Sequence, residues 1–180
     1  MKTGLSTLPI LFLLTLIGCE TTRTELPEPQ KAVGFALRAD PVQWEPQNMS
    51  EGEGGILIEM VPAGHEISEW TELLVQQILF NDLGFERFVD AWYRGLRAED
   101  EAIEIERIED TDEAIAFVYS SEVIGQSSVV RFMKGPDAIY SLSYNCKDGS
   151  CNMERFGLWR EIILNSDLVE NPELARAIAE

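Results

Sequence analysis

The stretch AIAFVYSSEVIGQSSVVRFMKGPDAIYSLSYN, residues 114–145, decides the fold class because it contains three strand candidates in a row. Turn residues separate the candidates, at Gly125-Gln126 and at Gly135-Pro136-Asp137. A fourth candidate lies just before the stretch, and connections this short make antiparallel neighbours. The stretch therefore predicts an antiparallel sheet. The predicted strands are residues 102–109, 114–123, 127–134 and 138–145.

Upstream of this stretch, the sequence predicts further strands. Residues 56–61 read as a clear strand and residues 33–37 as a shorter one. The apolar positions in residues 73–80 suit either a buried strand or a helix, and we predict a strand. Residues 40–55 contain two prolines and three glycines, so we predict a loop there.

Two amphipathic helices are predicted from apolar residues at helical spacing. The first has its apolar face formed by Phe85, Phe88, Val89, Trp92 and Leu96. The second covers residues 153–164, with a buried stripe formed by Phe156, Trp159, Ile162 and Ile163. Asn171-Pro172 opens a short terminal helix through Ala179. Because each main helix must cover apolar surface on one sheet, residues 32–180 are predicted to form a single α+β domain, an antiparallel sheet flanked by two main helices.

The N-terminus has the pattern of an export signal. Lys2 precedes a mostly apolar run over residues 5–16, which is too short to span about 30 Å of hydrocarbon as a helix. The run ends in Leu16-Ile17-Gly18-Cys19, which resembles the lipobox of bacterial lipoproteins. The alternative is an uncleaved apolar tail with a chance cysteine.

The lipobox resemblance implies a modification and a location. In that family the cysteine thiol receives a diacylglyceryl group and the chain is cleaved just before it. Residues 1–18 are therefore the predicted signal peptide, and Cys19 is the predicted lipid attachment site. Residues 19–31 lack apolar periodicity and form the predicted tether. Since Glu20 stands where an aspartate favours inner-membrane retention, we expect an anchor in the outer membrane, facing the periplasm.

The charge of the mature chain restricts its partners. Without residues 1–18, the remaining 162 residues carry 13 basic and 32 acidic side chains, a formal charge of −19. Such a charge repels nucleic acid and anionic lipid head groups. It suits a soluble domain held off the membrane, or one with a basic or cationic partner.

Cys146 and Cys151 remain as an even pair of cysteines in an oxidising compartment. Asp148-Gly149 between them is a tight-turn signal. A redox role normally uses a Cys-x-x-Cys spacing, which differs from this one. A zinc site needs two more ligands, and His65 is the single histidine of the chain. We therefore predict a structural disulfide.

The sequence carries no catalytic or metal-binding signature. His65-Glu66 lacks the second histidine of a zinc-protease helix, because Glu69 occupies that position. Asp110-Thr111-Asp112 resembles the start of a calcium loop, but Ala114 and Ile115 occupy a ligand position and the glycine position. No serine lies in a nucleophile-elbow motif. We predict no enzyme, no metal and no cofactor, and the alternative is a hydrolase that uses carboxylates alone.

Residues 99–113 concentrate nine carboxylates in fifteen positions. On a strand, Glu104 and Glu106 share one face while Ile103 and Ile105 share the other. One interpretation is a solvated sheet face with its hairpin tip. The other is a weak cation-binding surface or a surface for a basic partner, where a cation would ease the mutual repulsion. The candidate residues of that surface are Glu104, Glu106, Asp110, Asp112 and Glu113.

The segment VPAGHEISEWT, residues 61–71, resembles a stretch of small envelope lipoproteins of bacteria. The cysteine pair followed by an aromatic-rich helix is similar to their C-terminal part. The order of elements is also similar to the PsbP-like α/β/α sandwich, whose members are mostly accessory or binding factors. The predicted anchor, the tether, the single domain and the absence of a catalytic constellation favour a non-enzymatic binding or accessory module with an envelope protein partner. Binding of a cation or small ligand at the acidic face is a further alternative.

Overall fold

The computed structural model describes residues 29–170. The predicted signal peptide, Cys19 and most of the predicted tether lie outside the described residues, as does the predicted helix that begins at Asn171. Between residues 29 and 170, no helix is both long enough and apolar enough to cross a bilayer.

Strands dominate the described part of the chain. The elements are β1 (Lys31–Gly34), β2 (Trp44–Gly52), β3 (Gly55–Pro62), β4 (Glu72–Leu79), α1 (Phe85–Glu99), β5 (Glu104–Asp110), β6 (Ala114–Ser121), β7 (Gln126–Lys134), β8 (Ile139–Lys147), α2 (Met153–Leu164) and β9 (Asp167–Glu170). Short 3₁₀ turns cover Leu37–Ala39 and Ile67–Glu69. The prediction for α2 is confirmed at both ends, and the four consecutive strands β5 to β8 are confirmed within a few residues.

Seven of the strands form one antiparallel sheet, in the order β2-β3-β4-β8-β7-β6-β5. The segment that suited either a strand or a helix is the interior strand β4, because it pairs with β3 on one side and β8 on the other. β1 and β9 form a separate antiparallel ribbon. The predicted α+β class, an antiparallel sheet with two main helices, is confirmed.

The two helices pack on opposite faces of the sheet. Tyr144 lies opposite Val129 in the register of β7 and β8, so alternation directs Phe132 to the other face. Trp92 of α1 packs against Phe132, with ring centroids 5.0 Å apart. Trp159 of α2 stacks on Tyr144, with ring centroids 5.6 Å apart. We call the two sides of the sheet the α1 face and the α2 face.

Each helix buries the stripe that the sequence predicted for it. The four predicted residues of α2 are all buried, and Trp159 has no exposed surface. In α1, Phe85 and Val89 are buried, and Trp92 packs among Phe117, Tyr119 and the sheet. Burying one such large side chain stabilises the fold by about 1.5–3 kcal/mol, so these stripes fix both helices on the sheet.

The prediction of a loop over residues 40–55 is wrong, because most of that segment is strand β2. β2 forms a hairpin with β3 and lies at the edge of the sheet. Trp44 is buried, but every residue of β2 from Glu45 to Gly52 is exposed, and a register shift lies between Pro46 and Asn48. A strand without a buried face shows no apolar alternation, which is the pattern that identifies strands in a sequence.

The chain enters the domain beside the β7–β8 turn. The backbone N–H of Gln30 donates to Asp137 Oδ2 at 2.7 Å, and that of Lys31 donates to the hydroxyl of Tyr140 at 3.2 Å. Lys31 then begins β1, which pairs with β9. We call this end of the sheet, which also holds the β5–β6 turn, the entry end.

The cysteine pair lies at the opposite end of the sheet. The sulfur atoms of Cys146 and Cys151 are at disulfide distance, with Cα atoms 5.2 Å apart. Cys146 is the second-last residue of β8 and is fully buried, and Cys151 lies two residues before α2. The pair therefore connects the central strand of the sheet to the helix that covers it.

Candidate functional site

A groove opens at the entry end between the first turns of α1 and the β5–β6 turn. Its volume is about 380 Å³. Most of its lining is polar, and acidic side chains prevail. The lining residues are Glu86, Asp90, Arg107, Asp110, Thr111, Asp112 and Ile115, and we call this site the acidic groove.

The helical wall of the acidic groove comes from the start of α1. Gly84 precedes the helix with φ of 78°, a left-handed conformation that favours glycine, and turns the chain out of the sheet. Glu86 and Asp90 are four residues apart and therefore lie on one side of α1. Phe85 and Val89 are buried against the sheet, so the two carboxylates face solvent at the rim.

The opposite wall is a braced turn. The N–H and the hydroxyl of Thr111 both donate to the carbonyl oxygen of Ala114, at 2.9 and 3.0 Å. The same hydroxyl oxygen accepts from the N–H of Ala114 at 2.9 Å. These bonds hold the backbone on both sides of Asp112. The turn therefore presents its carboxylates from a defined backbone rather than from a mobile loop.

A β-bulge brings Arg107 and Asp110 to the same side of β5. In a regular strand, residues three apart point to opposite faces. The register of β5 on β6 shifts between Arg107 and Glu109, so that Arg107 lies opposite Phe117 and Asp110 opposite Ile115. Both residues consequently point to the α1 face. The bulge thus creates one side of the acidic groove.

One ion pair only partly offsets the charge of the groove. Arg107 Nη2 lies 2.9 Å from Asp110 Oδ1, and the two side chains are 41% and 65% exposed. A pair so exposed contributes at most about 1 kcal/mol, since water and salt screen it. The Arg107 guanidinium also lies 5.8 Å from the ring centroid of Phe117. Four acidic side chains against one basic one leave a formal charge of −3, which favours a cationic group.

The five residues of the predicted acidic surface do not form one site. Asp110 and Asp112 line the acidic groove. Glu104 and Glu106 lie opposite Ser120 and Val118, so they are exposed on the α2 face of β5. Glu113 Oε1 lies 3.7 Å from the ammonium group of Lys134. Strand alternation and the bulge separate residues that are close in sequence.

Sequence reasoning did not select Glu86, Asp90 and Arg107 as site residues. The four-residue spacing of Glu86 and Asp90 was visible, but nearly every exposed helix face carries such charges. Their significance depends on how α1 lies against the β5–β6 turn. Nineteen residues separate Asp90 from Asp110 along the chain, so only the packed structure relates them.

The described residues contain no cluster of side chains placed to bind a metal ion. Among residues 29–170, no group of three or more His, Cys, Asp or Glu side chains is placed to hold a metal ion. The carboxylates of the groove are therefore arranged as a charged lining rather than as a coordination shell.

Comparison with protein-family models, with curated proteins and with solved structures gives no match for this chain. The geometry of the molecule itself must therefore support any functional proposal.

Proposed function

We propose that this protein is a non-enzymatic, lipid-anchored envelope protein whose domain binds a basic segment of a protein partner. The observation that carries the proposal is the acidic groove, with its four carboxylates and one guanidinium beside a braced turn. Lysine and arginine side chains complement such a lining. The export and lipobox patterns of the sequence support the anchor.

The position of the groove supports a partner close to the membrane. The groove and the point where the chain enters the domain share the entry end of the sheet. Eleven residues separate Cys19 from Lys31. Even a fully extended chain of that length spans at most about 40 Å. The groove is thus held near the outer membrane, where membrane-bound envelope proteins are within its reach.

Crosslinking in living cells tests this function. The full chain would carry a photo-crosslinking residue at Ala91, an exposed position of α1 directly after Asp90. We expect one specific protein adduct, which disappears in an Asp110→Asn/Asp112→Asn variant because the cationic segment loses its counter-charges. The matched control is Glu104→Gln/Glu106→Gln, which removes two carboxylates from the opposite face of β5 and should keep the adduct.

One further comparison separates the anchor from the groove. A Cys19→Ser form exported by a cleavable, non-lipoprotein signal should lose most of the adduct, since it is no longer held near the membrane. The proposal fails if the groove variant and the control variant give the same adducts. It also fails if no protein is crosslinked from Ala91 in the anchored form.

A further inference from the structure

Among residues 29–170, β2 forms the edge of the sheet opposite to β5 and pairs with no strand on its outer side. β2 is the outermost strand, and its residues from Glu45 to Gly52 are exposed on both faces. Met49 is 59% exposed, among the most exposed large apolar side chains in the described structure. Neither face of β2 is therefore covered over these residues.

The backbone pairing shows which peptide groups of β2 point outwards. Glu53-Gly54 forms a two-residue turn, flanked by the pair Gly52 and Gly55. In such a hairpin the flanking pair bonds across the turn, and bonding then alternates along the strand. Ser50 therefore faces β3, while Met49 and Glu51 direct their N–H and C=O groups away from the sheet.

An independent contact agrees with this alternation. The N–H of Phe80 donates to the carbonyl oxygen of Gly54 at 3.1 Å, which places the even-numbered residues of β3 in the ladder with β4. The odd-numbered residues of β3, including Leu57, then bond to β2. Since Leu57 lies opposite Ser50, the backbone N–H and C=O groups of Ser50 bond to β3. Those of its neighbours Met49 and Glu51 have no partner in β3.

The two edges of the sheet differ in how they are protected. β5 has a bulge near its middle and carries charged side chains on both faces, which are features that discourage pairing. β2 has two such features, Pro46 and the register shift between Pro46 and Asn48, and both lie in its first half. Residues 48–52 pair regularly with β3, and within the described part of the chain nothing covers the outward-facing N–H and C=O groups of Met49 and Glu51.

The charge around this edge selects the kind of strand that could pair with it. Glu45, Glu51 and Glu53 are exposed, and residues 44–62 contain no lysine or arginine. Among the described residues, neither Glu45 nor Glu51 forms an ion pair. A second copy of this acidic chain would place like charges side by side, which is unfavourable, whereas a basic strand would be attracted.

We propose that residues 48–52 of β2 accept an extended, lysine- or arginine-rich segment of a partner protein as an eighth, antiparallel strand of the sheet. Main-chain hydrogen bonds to Met49 and Glu51 supply the pairing, and the glutamates around the edge select basic side chains. This surface lies on the opposite edge of the sheet from the acidic groove. The proposal therefore stands or fails independently of the function assigned to the groove.

Amide hydrogen exchange provides the test. The probe is a short synthetic peptide in which lysine alternates with valine and threonine, added to the purified, lipid-anchored full chain in detergent. At ninety per cent occupancy, the amides of Met49 and Glu51 should exchange about tenfold more slowly, because exchange then requires release of the peptide. The amide of Ser50, already bonded to β3, should not change.

Matched variants and peptides exclude non-specific attraction. Glu51→Lys reverses the charge of an exposed side chain and should abolish the slowing, whereas Glu106→Lys on the other edge should leave it intact. A peptide with glutamate in place of lysine should have no effect. The proposal is overturned if millimolar basic peptide leaves Met49 and Glu51 unchanged, or if it slows the β5 amides equally. Slowing that depends on protein concentration without peptide would assign the edge to a second copy and would also overturn it.

Discussion

Asp40 shows how one buried carboxylate organises the α2 side of the domain. Its side chain has no exposed surface. Asp40 Oδ2 accepts from the indole N–H groups of Trp44 at 3.1 Å and Trp159 at 2.7 Å, and Asp40 Oδ1 accepts from the N–H of Val42 at 2.9 Å. Arg155 Nη2 lies 3.2 Å from Asp40 Oδ2. Four donors, two from residues 42–44 and two from α2, therefore converge on one side chain.

Removing this carboxylate should destabilise the domain strongly. In an Asp40→Ala variant, two indole N–H groups lose their acceptor and Arg155 keeps only its pair with Glu72, at 2.9 Å. Because a buried donor left without an acceptor costs about 1–3 kcal/mol, the two indole groups together predict a loss of about 2–6 kcal/mol in the free energy of unfolding, measured by urea denaturation. Asp82→Ala, at an exposed loop position, is the control and should change it by less than about 0.5 kcal/mol. A small effect at Asp40 would show that the network contributes little.

The sequence did not predict the role of Asp40. It stood at the start of a segment predicted to be a loop, and an aspartate in such a place is usually solvated. Its importance depends on Trp44 and on Trp159, which is 119 residues further along the chain. Buried polar networks of this kind arise from tertiary packing, so neither composition nor periodicity reveals them.

At the level of the elements, the periodicity of apolar residues predicted the helices and strands that have one buried and one exposed side. α2 was predicted at both ends because its apolar stripe faces the sheet throughout. β2 was missed because an edge strand exposed on both faces has no apolar alternation. β9 was missed because it is only four residues long and pairs with β1 alone. Prediction of strands thus failed where a strand has no buried face, as in β2, and where a short strand pairs with only one other short strand, as in β9.

The link between β8 and α2 should stabilise the domain measurably. The cysteine pair closes a short loop, and Asn152 beyond it caps α2 by accepting from the N–H groups of Glu154 and Arg155, at 3.0 and 3.2 Å. We expect Cys151→Ser to lower the free energy of unfolding by about 2 kcal/mol, because the unfolded chain gains freedom. Urea denaturation with and without reductant measures this.

Two controls define that comparison. Reductant should lower the stability of the unmodified protein to that of Cys151→Ser and should leave the variant unchanged. Ser150→Ala, within the same loop, should behave like the unmodified protein. An equal response of the variant and the unmodified protein to reductant would show that the pair does not stabilise the fold.

At the level of the whole molecule, the layered architecture followed from sequence but the acidic groove did not. Four consecutive strands and two amphipathic helices are enough to predict a sheet covered by helices. The groove requires two further facts, the position of α1 over the sheet and the bulge in β5. Both are set by packing between distant segments. Asp110 and Asp112 were therefore predicted as candidates, while Glu86 and Asp90 across the groove were not.

Burial of tyrosines gives the whole molecule a characteristic response to alkali. Burial is the main cause that raises the pKa of Tyr119, Tyr140 and Tyr144 above the usual value near 10. At Tyr140, its hydrogen bond to Asp137 raises the pKa further, and at Tyr144 the negative charge of Glu72 does the same. All three phenols therefore prefer to stay neutral in the folded state.

Stability should consequently decline above pH 10. Because the folded pKa of each phenol is raised, its contribution to stability is fully present below the unfolded pKa, near 10, and is lost as the pH rises towards the folded pKa. Urea denaturation should give similar midpoints at pH 8 and pH 9 and a clearly lower midpoint at pH 11.

Lysine deprotonation also begins in this range, so a tyrosine variant is needed to separate the two causes. Tyr144→Phe should be less stable at pH 8, because Glu72 loses its hydrogen bond at 2.9 Å, yet it should lose less stability between pH 9 and pH 11. Equal losses in both proteins would show that ionisation of Tyr144 does not contribute to alkaline unfolding.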